Sequence, residues 1–357
     1  MIPPKIRATK DMNKRKIRVG LIRMDTHTMY IGCLMAEHDP MLLRGPTPCA
    51  DGSFKHGWQA GGTYLYFYTT YREPMKMTVP KVEGFEVVKV WDEDRTLAEL
   101  SAKVFCSKPH VCETLDEVSD NVDLVVIGDC KTEGEDHVKL ATPSIQKGVP
   151  TYIDKPFAYC LKDARKIAEL AKKHKAPVLS LSILRVTPGL THFRNRLAEI
   201  APLNLGVIYG CASLRLDGLI HAISAAQHVF GGGVKSVQCL SKADDIEVVK
   251  LYYGDEPGKP SGGVILTREG AGGGGDVTFS FYAAAIGRHG AIQSEPQNDY
   301  THPYGMRCIV EKIRIMARTG KSPAPMSEML ENIAVAEAIR RAYRTGRCAS
   351  VEAPDNP

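Results

Sequence analysis

The chain has 357 residues, too many for one ordinary hydrophobic core and enough for two. At 43% hydrophobic and 24% charged it has an ordinary globular composition, and no apolar run is long enough to span a bilayer, so no membrane partner is expected. The net charge of +5 is mild, and its basic residues gather near the start (Lys5 to Arg18) and near the end (Arg340 to Arg347) without a recognised nucleic-acid fold, so no nucleic-acid partner is expected either. Ten cysteines fall at irregular spacing, with no CxxC pair and no zinc-type Cys/His set. Free thiols, no metal and a cytoplasmic location are the simplest expectation; the opening MIPPKIRATKDMNKRK has no apolar stretch of the secretory kind.

In chain order, Lys16–Ile22 reads as a strand and Met29–His38 as a helix. Phe85–Trp91 and Thr96–Phe105 repeat the pair. Asp123–Ile127 is an apolar run of the kind buried on both faces of a parallel sheet. His137–Lys147 is a helix with Gly148 at the place of a C′ glycine, followed by strand Thr151–Ile153. Leu161–Lys175 carries Leu161, Ala164, Ile167, Ala168 and Ala171 on one helical face, and Pro177–Ile183 reads as the next strand. The alternation predicts an α/β fold, a Rossmann-like doubly wound parallel sheet over residues 14–184. One segment breaks the rhythm. Residues 39–83 form an insertion with an aromatic cluster, Tyr64, Tyr66, Phe67, Tyr68 and Tyr71. It reads either as surface packing or as a lid whose rings flank a sugar-like ligand.

From residue 185 to 357 the pattern changes to a C-terminal α+β domain. Strands are predicted at Leu205–Ala212, Ser236–Leu240, Ile246–Tyr253, Gly263–Thr267 and Asp276–Ala283, forming a mostly antiparallel open sheet. Two amphipathic helices, Arg307–Thr319 and Ser327–Thr345, close the chain. So few helices leave one sheet face bare, which predicts a homo-oligomer. Gly272 to Gly275 reads as a flexible turn, because no helix start follows it.

The first strand–turn–helix is where a dinucleotide fold carries GxGxxG, so that backbone can approach a pyrophosphate. Here the three glycine places hold Arg23, Asp25 and Thr28. Asp25 or Thr26 can cap the helix, and Arg23 can offset the negative charge of an Asp cap. The second strand ends at Asp92, where an acid accepts from the adenosine ribose and repels a 2′-phosphate. That favours NAD over NADP.

Two stretches are more specific. One runs from His137 through Gly148 to Asp154-Lys155-Pro156 and on to Asp163-Ala-Arg-Lys-Ile-Ala. The other is Arg215-Leu-Asp217-Gly-Leu-Ile-His221-Ala-Ile-Ser224, ending Val-Phe-Gly231. With the closing segments Tyr300–Gly305 and Ala334–Arg347 they resemble the glucose–fructose oxidoreductase/inositol dehydrogenase (Gfo/Idh/MocA) family, from about Lys16 to Val351. The family's Glu-Lys-Pro is Asp154-Lys155-Pro156 here, and Ser224 stands where it usually has an acid. The Asp25-Thr26-His27 turn resembles a sub-branch lacking the glycines.

The resemblance implies that Lys155 lies between nicotinamide and substrate hydroxyl and that His221 is the general base. Asp217 would orient His221 or bind a neighbouring hydroxyl, and Arg185 joins Asp217 and His221 on the substrate side. The candidate cofactor set is Arg23, Asp25, Thr26, His27, Asp92, Asp129, Cys130, His137, Asp154 and Lys155. An NAD-dependent dehydrogenase of a sugar, polyol or glycoside is the leading expectation. A glycoside hydrolase or lyase that uses tightly bound NAD transiently is the second. A catalytically silent sugar- or nucleotide-binding protein, favoured by the missing glycines, is the third.

Overall fold

The structure is a computed structural model in which residues 15–68, 79–128, 133–210, 212–242, 245–268, 280–298 and 301–353 are described. Six parallel strands form the first sheet: β1 (Ile17–Ile22), β2 (Phe85–Trp91), β3 (His110–Val111), β4 (Leu124–Ile127), β5 (Thr151–Ile153) and β6 (Val178–Leu179). Their order is β3-β2-β1-β4-β5-β6, so the strand order reverses between β1 and β4. All four β4 side chains are buried, as a strand covered on both faces requires.

Helices α1 (Thr26–Met35) and α4 (Arg95–Val104) cover one face, with Met29, Leu34, Leu97 and Val104 meeting Val19, Leu21 and Val126. Helices α5 (His137–Gln146) and α6 (Leu161–His174) cover the other, with Leu140, Ile145 and Ile167 meeting Ile22, Val125 and Ile127. Gly148 takes the left-handed conformation beyond α5 (φ 72°), where a side chain would be strained.

The insertion folds into two short helices, α2 (Pro40–Arg44) and α3 (Gly62–Tyr68), with a 3₁₀ turn at Gly57–Ala60 between them. Trp58 is fully buried, and its indole N–H donates to the Met24 carbonyl at 3.0 Å. Gln59, also fully buried, ties the loop internally through the Thr47 carbonyl and the Lys55 and His56 amides. Phe67 packs edge-on against Tyr30, and Tyr68 packs beside His38. The described part of the insertion thus packs against the first turn; Tyr71 and the Tyr66 side chain lie outside what is described.

The second sheet has eight strands in the order β12-β11-β7-β10-β9-β8-β14, with β13 beside β11. They are β7 (Leu203–Tyr209), β8 (Ser236–Lys242), β9 (Asp245–Tyr252), β10 (Val264–Thr267), β11 (Ser280–Gly287), β12 (Gly290–Gln293), β13 (Gln297–Asn298) and β14 (Ala349–Ser350). Only β10 with β7 is parallel among these pairs. Gly272 to Gly275 lie outside the described residues. Helix α7 (Pro188–Arg196) precedes the sheet. Helices α8 (Leu216–Phe230) and α10 (Met326–Thr345) pack on one face, where Ile223, Phe230, Leu330 and Ile339 meet Ile208, Val249, Leu266 and Ala283.

Two expectations shift. The predicted Pro177–Ile183 strand shortens to Val178–Leu179, because Ser182 leaves the sheet to cap a 3₁₀ turn, Ile183–Arg185, accepting from the Leu184 amide. Helix α9 (His302–Thr319), which sequence order assigns to the second unit, packs in the core of the first. Its Met306, Ile309, Val310, Ile313 and Met316 join Tyr30, Leu34 and Phe85 there. An amphipathic stripe specifies that a helix is buried, not against which partner.

Candidate active site

At the first turn, Arg23 holds the left-handed conformation (φ 62°) that the first motif glycine ordinarily supplies. That conformation costs a side-chain-bearing residue about 1–2 kcal/mol. Arg23 is buried, and its guanidinium pairs with Asp136 and reaches Glu93 at 3.8 Å. Asp25 is the N-cap of α1; its carboxylate accepts from the His27 and Thr28 amides at 3.0 and 3.4 Å. These amides otherwise face a pyrophosphate. Thr28, at the third glycine place, is accommodated from the opposite side. A Cβ on Gly128, just past β4, would lie 2.4 Å from Thr28 Oγ1 and 2.6 Å from Thr28 Cα. The glycine that permits close helix–strand contact has moved to the neighbouring strand.

A cavity of about 400 Å³ opens beside this turn, at the carboxyl ends of β1 and β5. Thr26, His27 and Tyr30 line it from α1, Asp154 and Lys155 from the end of β5, and Asp217, Gly218 and His221 from α8. Helix α9 adds His302, Met306 and Ile309, and β11 adds Phe281. Lys155, Asp217 and His221, the three expected catalytic residues, thus come together. The His221 Nδ1 lies 2.8 Å from Ser182 Oγ. Burial drives the His221 imidazole well below its ordinary pKa, and the charge of neighbouring Lys155 pushes the same way. The Lys155 ammonium donates to the Asp217 backbone carbonyl at 3.4 Å. The Asp217 carboxylate turns to Arg215, at 2.6 and 3.3 Å, and to the Gly218 amide. It does not hold His221; Ser182 does. Burial pushes the Asp217 carboxyl up, but Arg215 and then Lys155 leave it below its ordinary value.

Of the expected cofactor residues, Thr26, His27, Asp154 and Lys155 line the cavity. Others serve the fold. Asp92 is 7% exposed and accepts from the Met24 and Asp94 amides at 2.7 and 2.8 Å, pinning the first turn to the end of β2. His137 is fully buried at the start of α5, its Nδ1 3.3 Å from the Phe157 carbonyl. Asp129 and Cys130 lie outside the described residues. Arg185 lies away from the cavity, bonded to Gln227 at 2.6 Å and paired with Glu328. It borders a small chamber behind Lys155, shared with Ser182, Ser224 and Asn332. Ser224 accepts from Asn332 at 3.2 Å, so the residue replacing the family acid faces the α10 side.

Sequence reasoning missed Ser182, Trp58 and the α9 contribution. Ser182 had a signal: it stands just past a strand end of the first sheet, where such folds place their ligands.

A dinucleotide would sit in this crevice by position, since it lies outside strand ends where the order reverses. Its size suits a nicotinamide end with a small substrate. The residues fit there, and the pyrophosphate would meet fewer free amides than a glycine turn provides.

Fold and cavity together define a two-unit dinucleotide-type protein with a Lys and a His converging at the sheet crevice. Residues 65–181 match the oxidoreductase family with an NAD-binding Rossmann fold, GFO_IDH_MocA, and the match begins downstream of the glycine-free turn. Over that stretch the chain is similar to the Gfo/Idh/MocA family of NAD-binding oxidoreductases. No curated protein sequence matches it.

Solved structures match over nearly the whole length. GenD2 from gentamicin A biosynthesis, in complex with NAD, is 14% identical, covers 95% of this chain and 97% of its own, and superposes with a TM-score of 0.66. A myo-inositol dehydrogenase from Corynebacterium glutamicum is 16% identical, with 94% and 99% covered and a TM-score of 0.64. The Lactobacillus casei myo-inositol dehydrogenase in complex with NAD(H) and myo-inositol is 13% identical, with 94% and 97% covered and a TM-score of 0.67. At such identities these likenesses establish the fold.

Proposed function

We propose that the protein moves a hydride between NAD and a carbon bearing a hydroxyl or carbonyl, on a sugar, polyol or glycoside. The observation that carries this reading is the convergence of His221, positioned by Ser182, with Lys155 in one crevice beside the dinucleotide-type turn. Thr26 would hold NAD at the turn, with Asp154 and Lys155 at the nicotinamide end. Bound NAD supplies the hydride acceptor.

The chain's own residues do the rest. His221, kept neutral by burial and by nearby positive charge, accepts the hydroxyl proton at Nε2. Lys155 donates to the reacting oxygen, and the Asp217 carbonyl positions its ammonium. The free lone pairs of the Asp217 carboxylate suit a neighbouring hydroxyl. The acid at the end of β2, Asp92, disfavours the extra phosphate of NADP.

The protein should also self-associate. The second sheet's outer face presents Val207, Tyr209, Ile265 and Tyr282, half-buried, with Leu240 and Ile286 at 61% and 47% exposure.

The test is paired kinetics and thermal unfolding of His221→Asn and Lys155→Met, after screening sugars, polyols and glycosides for NADH formation. His221→Asn should fold normally and lose about 10²–10⁴-fold in turnover. Full turnover by a folded His221→Asn protein removes the mechanism. Mass spectrometry of denatured protein for released NAD(H) shows whether the cofactor stays bound.

A further inference from the structure

The cavity contains a second histidine that hydride transfer leaves unused. His27 projects from the first turn of α1, with its Nδ1 2.6 Å from Asp154 Oδ2. Asp154 is 1% exposed at the end of β5, and its other oxygen accepts from the Tyr152 hydroxyl at 3.2 Å. The His27 ring is 28% exposed and borders the cavity. Burial pushes the Asp154 carboxyl up, but His27 and then Lys155 hold it below its ordinary value. An ionised carboxylate on Nδ1 fixes the ring proton there and leaves Nε2 as an acceptor. A buried acid in this position orients an imidazole and stabilises its protonated form.

We propose that His27, oriented by Asp154, is a second acid–base group of the cavity and that the protein enolises a ketone bound there. The inference rests on reading the cavity as the substrate site. Lys155 donates to the ketone oxygen, which draws electrons from the adjoining carbons. His27 Nε2 takes a proton from one of them. The C–H electron pair becomes the enolate C=C bond, and the carbonyl π pair moves onto the oxygen held by Lys155. Return of the proton from His27⁺ restores the ketone, so no oxidant or reductant is consumed. The titratable and polar groups that line the cavity with His27 are Thr26 and Tyr30 on its own helix, Asp154 and Lys155 from the end of β5, Asp217 and His221 from α8, and His302 from α9. Of these, Asp217 is already paired with Arg215, and Asp154 is the carboxylate bonded to His27. His221 serves the hydroxyl proton, and His27 serves the adjoining carbon.

The test uses the full chain with NAD⁺ and no NADH, in D₂O, with keto-inositols and keto-hexosides as probes followed by proton NMR. Deuterium should enter at a carbon flanking the carbonyl about 10²-fold or more above the buffer rate. His27→Gln keeps a hydrogen bond to Asp154 and should lower wash-in by about 10²–10⁴-fold. Asp154→Asn should lower it as well. Nitrogen–proton NMR of the unmodified protein gives an independent reading, in which His27 is protonated at Nδ1. Wash-in at the buffer rate with a ketone that the same preparation reduces with NADH overturns the proposal. So does native-rate wash-in by His27→Gln, or a neutral His27 protonated at Nε2. Failure of every ketone and alcohol in the NADH assay counts instead against the dehydrogenase reading, since wash-in requires no hydride transfer.

Discussion

Gly128→Ala tests how the first turn works without its glycines. The added Cβ would lie 2.4 Å from Thr28 Oγ1, 2.6 Å from Thr28 Cα and 2.6 Å from Thr28 N. Two of these three atoms are backbone, so no rotamer change relieves the overlap. Helix α1 would have to lift from β4, carrying Thr26 and His27 with it. Overpacking usually costs 1–3 kcal/mol, and a contact with rigid backbone belongs at the upper end, about 3 kcal/mol. At roughly 2–4 °C per kcal/mol, Tm should fall by about 6–12 °C. The same shift should weaken NAD binding, read by isothermal titration. Thr28→Ala added to Gly128→Ala removes only the Oγ1 overlap and should recover little. A Gly128→Ala protein within 0.5 kcal/mol of native stability, binding NAD unchanged, would refute the idea that close packing has passed from the turn to β4.

Four further outcomes follow from the geometry. Ser182→Ala removes the partner of His221 Nδ1, worth about 1.4 kcal/mol, so kcat should drop about tenfold in steady-state kinetics with KM less affected. Asp92→Ala strips the Met24 and Asp94 amides of their acceptor; urea unfolding should show a loss of about 2–4 kcal/mol. His228 is pushed down to about 4 by burial and then by Arg185 and Arg194, against about 6.5 in the unfolded chain. Between those values the unfolded chain binds a proton that the folded chain refuses, so stability should fall as pH drops through this window, by about 2 kcal/mol after allowance for partial exposure. His228→Gln should flatten Tm against pH over that range. Val207→Glu, on the outer sheet face opposite Ile265 and Ala284, should dissociate the native oligomer in light scattering; a native protein already monomeric at micromolar concentration contradicts the expected assembly.

The parallel sheet was legible because its strands and helices carry periodic apolar signals, seen in the four buried residues of Leu124–Ile127 and the five buried residues of α6. Lys155, Asp217 and His221 were legible through short motifs that fix both residue type and spacing. What spacing does not carry is the direction of a side chain. Asp92 and Asp217 stand at the expected positions, yet backbone amides and Arg215 take their carboxylates. His137 begins α5 as expected but turns into the protein interior, and Arg185 finds Glu328 from the far C-terminal helix. The aromatic rings of the insertion read equally as packing or as ligand contacts, because composition does not say which way a ring points; in the structure Phe67 packs on Tyr30 and Tyr68 stands beside His38. The His27–Asp154 pair spans more than a hundred residues of sequence and has no local signature.

Helix α9 has a consequence for the order in which the site is assembled. Met306 and Ile309 belong to the core built on the first sheet and also form part of the cavity wall, with His302 one turn before. A chain emerging from the ribosome can complete strands β1 to β6 long before this helix exists, leaving an apolar groove beside Tyr30 uncovered. The second sheet must then be traversed before α9 returns to fill that groove. Binding competence therefore arrives near the end of synthesis, and the nascent first unit offers its crevice with one wall still missing.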